Sequence, residues 1–135
     1  MEIAHINYEG ELHCTARHLR SSKEIETDAP TDNNGKGEAF SPTDLLATSL
    51  GLCMITIMGI KARDMGLDIS GTEISVDKTM ANDPRRVSAI GLVIRIPQNH
   101  SEKDRTILEK AGLACPVAKS LKEDVEQNVK FEWGK

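Results

Sequence analysis

The sequence predicts an α+β fold in which strands precede and follow one long central helix, with a helix pair and a last strand near the C-terminus. Three observations support this class: a strong helix start at Ser41 and Pro42, alternating segments on both sides of that helix, and a second capping residue at Ser101. The chain has 135 residues, about enough for one domain. We therefore expect residues 1–135 to form a single domain.

The N-terminal part is predicted to contain three strands and a loop. Residues 2–9 and 11–19 have the pattern of two short strands that meet at Gly10, and residues 24–27 form a third. Residues 28–37 concentrate proline, asparagine, aspartate and glycine, which supply the backbone conformations of turns. This segment is therefore predicted to be a loop that leads into the helix.

The strongest helix signal follows this loop. Ser41 can cap a helix, Pro42 suits its first position, and Asp44 places a carboxylate near the positive helix end. The helix is predicted to end around Gly66. Residues 45–60 carry no charge, so the helix has no polar face to present to water. One small domain can cover only one side of it, and we expect a partner chain to cover the other.

The remaining elements are predicted from alternation, caps and prolines. Two antiparallel strands follow Gly66, and Pro116 breaks the later helical segment because proline restricts the residue before it. The predicted segments are, in order, strands over residues 69–80 and 87–96, a helix capped by Ser101, a short helix over residues 116–124, and a final strand over residues 128–133.

Composition and charge argue against nucleic acid and membrane partners. The net charge is −4, so no positive surplus is available to hold a phosphate backbone or an anionic lipid surface. Four aromatic residues leave few platforms for stacking bases. The N-terminus lacks the pattern of a signal peptide, and the uncharged run at residues 45–60 is too short and too mixed to span a bilayer. We expect a cytoplasmic protein.

Three cysteines carry the most reactive side chains. Their odd number and wide spacing do not fit a disulfide framework or a zinc site, so we expect free thiols and no metal. Cys115 stands at the predicted cap before Pro116, where free N–H groups and the helix dipole favour the thiolate. Cys53 lies in the apolar helix, where a thiol can be reactive or serve only as a small hydrophobe. Cys14 is assigned a structural role.

Several polar residues are candidates to support a reactive thiol. Arg17 and Arg20 close the second strand and can supply a cation that stabilises a thiolate or an oxygen anion. Glu38 and Asp44 bracket the start of the helix, and either can orient such an arginine. The histidines lack metal-ligand spacing, and the sequence signatures of common serine hydrolases and of dinucleotide- and nucleotide-binding proteins are absent. No cofactor is therefore expected.

The segment from Gly35 to Met58 resembles the signature of the OsmC/Ohr family of thiol-dependent peroxidases, in which a helix begun by proline carries a cysteine eleven residues later. Here that cysteine is Cys53. The family's second signature is a cysteine that begins a late short helix, and it matches the run ACPVAKSL, which contains Cys115. The resemblance extends over essentially the whole chain.

The resemblance implies an OsmC-like α+β fold, with antiparallel sheets packed on a long central helix, in an intertwined homodimer. It implies that Cys53 attacks an organic hydroperoxide, becomes a sulfenic acid and then forms a disulfide with Cys115. It also implies an activating arginine at the end of an early strand. Arg20 fits that position better than Arg17.

One position departs from the family pattern. Members of the Ohr type carry a glutamate directly after the helix proline, and here that residue is Thr43. Glu38 is then the nearest acidic substitute, and His18 is a further polar candidate beside Arg20. The support around the thiol is therefore expected to differ from the Ohr type.

The apolar neighbours of Cys53 suit an organic hydroperoxide better than hydrogen peroxide alone; they are Leu50, Met54 and Met58, with Phe40 nearby. The predicted function is a cofactor-free organic hydroperoxide reductase that a dithiol of the lipoyl type regenerates. Two alternatives remain open at this point. Cys53 with His18 could catalyse acyl transfer, as in a thioester hydrolase, and Cys115 would then matter little. The chain could instead be a non-catalytic module that binds a small molecule at the dimer interface, and both cysteines would then be inert to peroxide.

Overall fold

The computed structural model describes residues 1–134 and has the mixed α+β composition that the sequence predicts. The strands form two three-stranded sheets. The elements are β1 (Ala4–Tyr8), β2 (His13–His18), β3 (Glu24–Asp28), α1 (Pro42–Asp64), β4 (Glu73–Ala81), β5 (Arg86–Ile96), α2 (Glu102–Leu113), α3 (Pro116–Ser120) and β6 (Glu126–Trp133), with a single 3₁₀ turn at Thr31–Asn33 among the described residues.

The chain divides into two compact units, here called the N-terminal unit (Met1–Leu46) and the C-terminal unit (from Ala47 onward). The first turn of α1 belongs to the N-terminal unit and the rest of that helix to the C-terminal unit. Each unit is described in turn. The organisation as a single domain stays a prediction.

The sheet of the N-terminal unit has one apolar and one polar face. β1 pairs with β2 and β2 with β3, all antiparallel, as expected from the turn at Gly10. The register places Ile6, Ala16 and Ile25 side by side, and side chains opposite one another share a face. Ile6, Tyr8 and Ile25 are all more than half exposed. The apolar face of this sheet is therefore uncovered in the single chain.

Asp28 holds the two ends of the loop at residues 29–40 together. Its side chain is buried, and Oδ1 lies 2.6 Å from Nδ1 of His13. Oδ2 accepts a hydrogen bond from the backbone N–H of Glu38 at 3.1 Å. The backbone N–H of Asp28 donates to the carbonyl of Phe40, also at 3.1 Å. Asp28 thus connects the start of this loop to its end through its backbone and its carboxylate.

His13 contacts carboxylates through both ring nitrogens. Nδ1 faces Asp28, and Nε2 lies 3.1 Å from Oε1 of Glu26. Carboxylates accept hydrogen bonds, so this arrangement favours the doubly protonated, cationic ring. The hydrogen bond to Asp28 raises the pKa of His13 above its ordinary value. The same bond, aided by the N–H of Glu38 and the charge of Lys36, lowers the pKa of Asp28.

The start of α1 is closed by a reciprocal pair of hydrogen bonds. The backbone N–H of Asp44 donates to Oγ of Ser41, and the backbone N–H of Ser41 donates to Oδ2 of Asp44, both at 3.0 Å. This capping box satisfies one N–H group inside the helix and one before it. The helix begins at Pro42 and ends at Asp64, shortly before Gly66, whose φ is +70°. The predicted start and end are both confirmed.

The C-terminal unit is a sheet in the order β4-β5-β6, with the later part of α1 packed on it. A Cβ added at Gly51 would touch the side chains of Ile74 and Leu92 at 3.5 Å, so the helix lies close to the sheet. β4 and β5 are antiparallel, as predicted, whereas β5 and β6 are parallel. The expectation of purely antiparallel sheets is wrong for this pair. The reason is that α2 and α3 form the crossover between β5 and β6.

Some element ends differ from the prediction. β4 begins at Glu73 and not at residue 69, because Gly71 turns the chain with a φ of +82°. α3 ends at Ser120 and not at residue 124. Leu121 there adopts an extended backbone and packs against the core, which starts the chain toward β6.

One side of α1 is buried and another is exposed. Leu50, Met54 and Met58 are fully buried, whereas Leu52 and Ile60 are 63% and 54% exposed. The chain therefore leaves part of its apolar helix uncovered, as the uncharged run predicted.

The length argument against a membrane span was wrong, because α1 extends beyond that run and is long and apolar enough to cross a bilayer. Length and composition alone do not separate a spanning helix from a core helix.

We predict that His13 stabilises the fold at acidic and neutral pH and loses this effect at alkaline pH. A group whose pKa is raised on folding stabilises below its ordinary value, here 6.5, and stops doing so as the pH rises through the folded value. The free energy of unfolding of the wild type should therefore exceed that of His13→Gln at pH 6, and the difference should shrink toward pH 9. Urea denaturation at each pH measures it.

His18→Gln is the matched control, because the ring of His18 bonds to the hydroxyl of Ser21 at 2.7 Å and not to a carboxylate. Asp28 has the opposite effect on the pH dependence of stability. Its pKa is lowered on folding, so the stability that it contributes is lost as the pH falls below the ordinary value of 3.8. A pH-independent difference between the wild type and His13→Gln would contradict the proposed ion pair.

Candidate functional site

Cys53 and Cys115 are neighbours in the C-terminal unit, close enough for the side chain of Cys53 to influence the pKa of Cys115 through hydrogen bonding. Cys53 lies on α1, and Cys115 is the N-cap of α3. All three cysteines of the chain are free thiols. The structure thus brings together two sulfur atoms that are about sixty residues apart in the sequence.

Local structure positions the Cys115 thiol. Its backbone is extended, with φ −64° and ψ 153°, and Pro116 occupies the first position of α3. The Sγ atom accepts a hydrogen bond from the N–H of Ala118 at 3.4 Å. The side chain therefore points into the start of the short helix, as the capping pattern predicts.

The two thiols differ in exposure. Cys115 is fully buried, whereas Cys53 is partly exposed. Burial raises the pKa of Cys115, and the nearby Cys53 adds to this, although the N–H of Ala118 acts in the opposite direction. The expectation that the cap makes Cys115 acidic is therefore wrong. The cost of burying a thiolate exceeds the stabilisation that the N–H groups of Ala118 and Val117 provide.

This arrangement can support dithiol–disulfide chemistry. Sulfur atoms in hydrogen-bond contact need only a small approach to form a bond between them. Only the partly exposed Cys53 is accessible to a molecule arriving from solvent. The geometry thus separates an accessible thiol from a protected one.

The apolar neighbours of Cys53 do not have the role expected of them. Leu50, Met54 and Met58 were expected to suit an organic substrate, but all three are fully buried in the core. Phe40, which was grouped with them, is 52% exposed and belongs to the N-terminal unit. The side chain beside Cys53 that has a solvent-accessible apolar surface is Leu52, at 63%.

The other candidates lie in the N-terminal unit. Arg17 is within β2, opposite His5 and Glu24, and Arg20 is exposed in the turn that follows β2. His18 ends β2, with its ring bonded to Ser21. Their roles toward Cys53 stay predictions.

Glu38 is exposed, and its backbone N–H is held by Asp28. The backbone of this residue is therefore fixed although its side chain is free to reorient. Its assignment as the acidic partner of an arginine stays a prediction.

Sequence analysis missed the pair formed by His13 and Asp28. Both line a cavity of about 280 Å³ in the N-terminal unit, together with Glu11, Glu26, Lys36, Glu38 and Ala39. The pairing of β2 with β3 explains the contact, because their register places His13 opposite Asp28. With carboxylates beside both ring nitrogens, the protonated ring of His13 donates a hydrogen bond to Asp28 and another to Glu26. The pair connects β2 to the end of β3 and, through Asp28, to the backbone at Glu38, so we assign it a structural role.

No metal site is formed by the part of the chain that the structure describes. Within residues 1–134, no group of three or more histidine, cysteine, aspartate or glutamate side chains is placed to hold an ion.

Comparison with known proteins places this geometry in a family. The model of the OsmC-like protein family matches residues 35–130. A Psychrobacter arcticus protein, provisionally described as an osmotic stress induced and detoxification response protein, is 54% identical, with 98% of this chain and 96% of that chain covered and a TM-score of 0.95. No curated protein matches the chain.

More distant solved structures share the fold. An OsmC-like protein from Mycoplasma pneumoniae is 17% identical with a TM-score of 0.81, over 98% of this chain and 96% of that chain. An organic hydroperoxide resistance protein OsmC from Legionella pneumophila is 12% identical with a TM-score of 0.76, over 98% of each chain. The family model, the Psychrobacter relative and the shared fold together show that the chain belongs to the OsmC-like protein family.

Proposed function

We propose that this OsmC-like protein is a thiol-dependent peroxidase that reduces organic hydroperoxides through Cys53 and Cys115. The observation that carries the proposal is the contact between an accessible thiol and a buried one within the C-terminal unit. Family membership supports a redox function related to peroxides, since the fold is shared with proteins named for organic hydroperoxide resistance in Legionella pneumophila and Vibrio cholerae.

The proposed reaction begins at Cys53. Its thiolate attacks one oxygen of the hydroperoxide, the O–O bond breaks, and the sulfur is oxidised to a sulfenic acid while the substrate leaves as an alkoxide that takes up a proton to become an alcohol. Cys115 then attacks the sulfenic sulfur. A disulfide forms, and the hydroxyl group leaves with the Cys115 proton as water.

The difference in exposure supports these two roles. The attacking thiol must meet a substrate from solvent, and Cys53 is the partly exposed member of the pair. The buried Cys115 has a raised pKa and stays a protonated thiol until a neighbouring sulfenic acid appears. An external dithiol of the lipoyl type, acting by thiol–disulfide exchange, would return both cysteines to thiols and itself become a disulfide.

Arg20 is the proposed source of positive charge for the attack. A guanidinium lowers the pKa of a nearby thiol and stabilises the negative charge that develops on the leaving oxygen. Arg20 lies in an exposed turn, so its side chain is free to adopt the required position. Glu38 would orient it in place of the glutamate that Thr43 replaces, and His18 and Arg17 are secondary candidates for the same support.

The proposed assembly is a cytoplasmic homodimer. Leu52 and Ile60 lie two helical turns apart on α1 and are both more than half exposed. The apolar face of the N-terminal sheet adds Ile6, Tyr8 and Ile25. Exposed apolar surface on this scale is typical of protein interfaces. A second copy of the chain would cover it.

We predict that Cys53→Ser abolishes peroxide reduction and that Cys115→Ser allows a single oxidation before the enzyme stalls. Consumption of an organic hydroperoxide with dihydrolipoamide as reductant measures turnover, and peptide mapping identifies the oxidised pair. One equivalent of hydroperoxide should produce a single disulfide between Cys53 and Cys115, because a sulfenic acid condenses with the thiol beside it.

Cys14→Ser is the control and should behave like the wild type, since Cys14 lies in β2 of the N-terminal unit. Full turnover by Cys115→Ser would exclude the two-cysteine cycle. Cleavage of a thioester substrate without peroxide reduction would favour a hydrolase, and cysteines inert to peroxide would favour a binding module.

We predict that Arg20→Ala slows peroxide reduction by about 100-fold, because loss of one donor to a developing oxyanion has a cost of this order. Arg17→Ala, in the middle of the same sheet, is the matched control and should have a smaller effect. Glu38→Gln should fall between the two. Equal and small effects of both arginine substitutions on kcat/KM would place the cation elsewhere.

We predict a stable dimer with twice the 14.8 kDa mass of one chain in light scattering at micromolar concentration. Leu52→Glu should weaken it, because a carboxylate would be buried without a partner. Lys61→Glu introduces the same group at an exposed position of α1 and should leave the mass unchanged. A folded wild-type monomer would contradict the proposed assembly.

A further inference from the structure

Gly112 lies where the last turn of α2 crosses α1. It is fully packed against two methionines, and a Cβ at this position would stand 2.8 Å from Cγ and 2.9 Å from Sδ of Met58, and 3.0 Å from Cγ of Met54. Real Cβ atoms essentially never approach other heavy atoms to under 3.0 Å. Met54 and Met58 are fully buried, so a side chain at position 112 would require these methionines or one of the two helices to shift.

The backbone of Gly112 does not itself require glycine. It lies inside a helix, and its φ is outside the left-handed region. Glycine is disfavoured inside a helix relative to alanine, because it loses more conformational freedom on folding. The physical role of glycine at this position is the close approach to α1.

This approach is linked to both thiols. On the α2 side, the backbone N–H of Cys115 donates to the carbonyl of Gly112 at 3.1 Å, so a movement of Gly112 moves Cys115. On the α1 side, Met54 directly follows Cys53 in the same helix. The contact between Gly112 and the methionines is thus connected to Cys115 by a backbone hydrogen bond and to Cys53 by the peptide bond that joins Cys53 to Met54.

We propose that Gly112 is a positioning residue for the thiol pair, because its missing side chain holds Cys115 in contact with Cys53 and sets how readily the two form a disulfide. The proposal rests on the proposed function only in assuming that this disulfide is used in turnover. A side chain at position 112 would push the end of α2 outward and would carry Cys115 with it.

A glutathione redox buffer tests the proposal without peroxide. In this exchange the two protein thiols are oxidised to one disulfide, and one oxidised glutathione takes up the two electrons and two protons to become two reduced glutathione molecules. The equilibrium measures the effective concentration of Cys115 at Cys53. We expect Gly112→Ala to lower this effective concentration about 10-fold, since misplacement of a reacting group by a fraction of an ångström weakens intramolecular reactions.

Two further variants separate positioning from general damage. Gly59→Ala makes the same change inside α1 at a site where a Cβ meets no atom within 4 Å, and it should leave the equilibrium unchanged. Met58→Ala removes Cγ and Sδ of Met58, the two atoms that a Cβ at position 112 would approach to under 3.0 Å. The double variant Gly112→Ala, Met58→Ala should therefore recover the equilibrium of Met58→Ala alone.

The outcomes are distinct. An effective concentration in Gly112→Ala that equals that of the wild type overturns the proposal. If that variant fails to fold, the double variant decides, because an equilibrium below that of Met58→Ala alone would also overturn it. Failure of the wild type to reduce hydroperoxides, with the glutathione result intact, would contradict the proposed function and leave the role of Gly112 standing.

Discussion

The apolar length of α1 must be packed, and much of the C-terminal unit follows from that constraint. Leu50, Met54 and Met58 recur at helical spacing and form a fully buried stripe. The alternating residues Ile90, Leu92 and Ile94 of β5 and Leu108 of α2 are buried in the same cluster. Cys53 directly precedes Met54 and lies at the edge of this stripe. One side of Cys53 therefore reaches the buried Cys115 while the other stays accessible, so core packing produces the asymmetry between the thiols.

Much of the fold could be predicted because its signals are local. Ser41 and Asp44 close the capping box that their spacing indicates, and Pro42 opens the helix. The parallel pairing of β6 with β5 was not predictable in this way, since it depends on how the crossover helices pack. The pair of His13 and Asp28 was missed because it depends on strand register and on the burial of a carboxylate in a polar loop.

The chemistry of Cys115 shows why a local rule can point in the wrong direction. Its position at the start of α3 supplies an N–H donor, and on that ground alone its thiolate would be favoured. The same fold removes Cys115 from water, and desolvation is the larger effect on its pKa. Burial is a property of the whole unit and cannot be deduced from the run ACPVAKSL. A buried thiol suits the role proposed for Cys115, which acts only after Cys53 is oxidised, so in the proposed cycle the difference in exposure separates the two roles.

The same helix connects the proposed chemistry with the proposed assembly. The buried stripe of α1 places Cys53 beside Cys115, and Leu52, the residue directly before Cys53, is 63% exposed. Burying apolar surface stabilises by about 25 cal/mol for each Å² removed from water, so an exposed leucine and an exposed isoleucine two turns apart on one helix favour association. In the proposed dimer, the chain that covers Leu52 would also lie beside Cys53. Its side chains would then form part of the apolar surface that an organic hydroperoxide meets, a surface that the fully buried Leu50, Met54 and Met58 of the single chain do not provide.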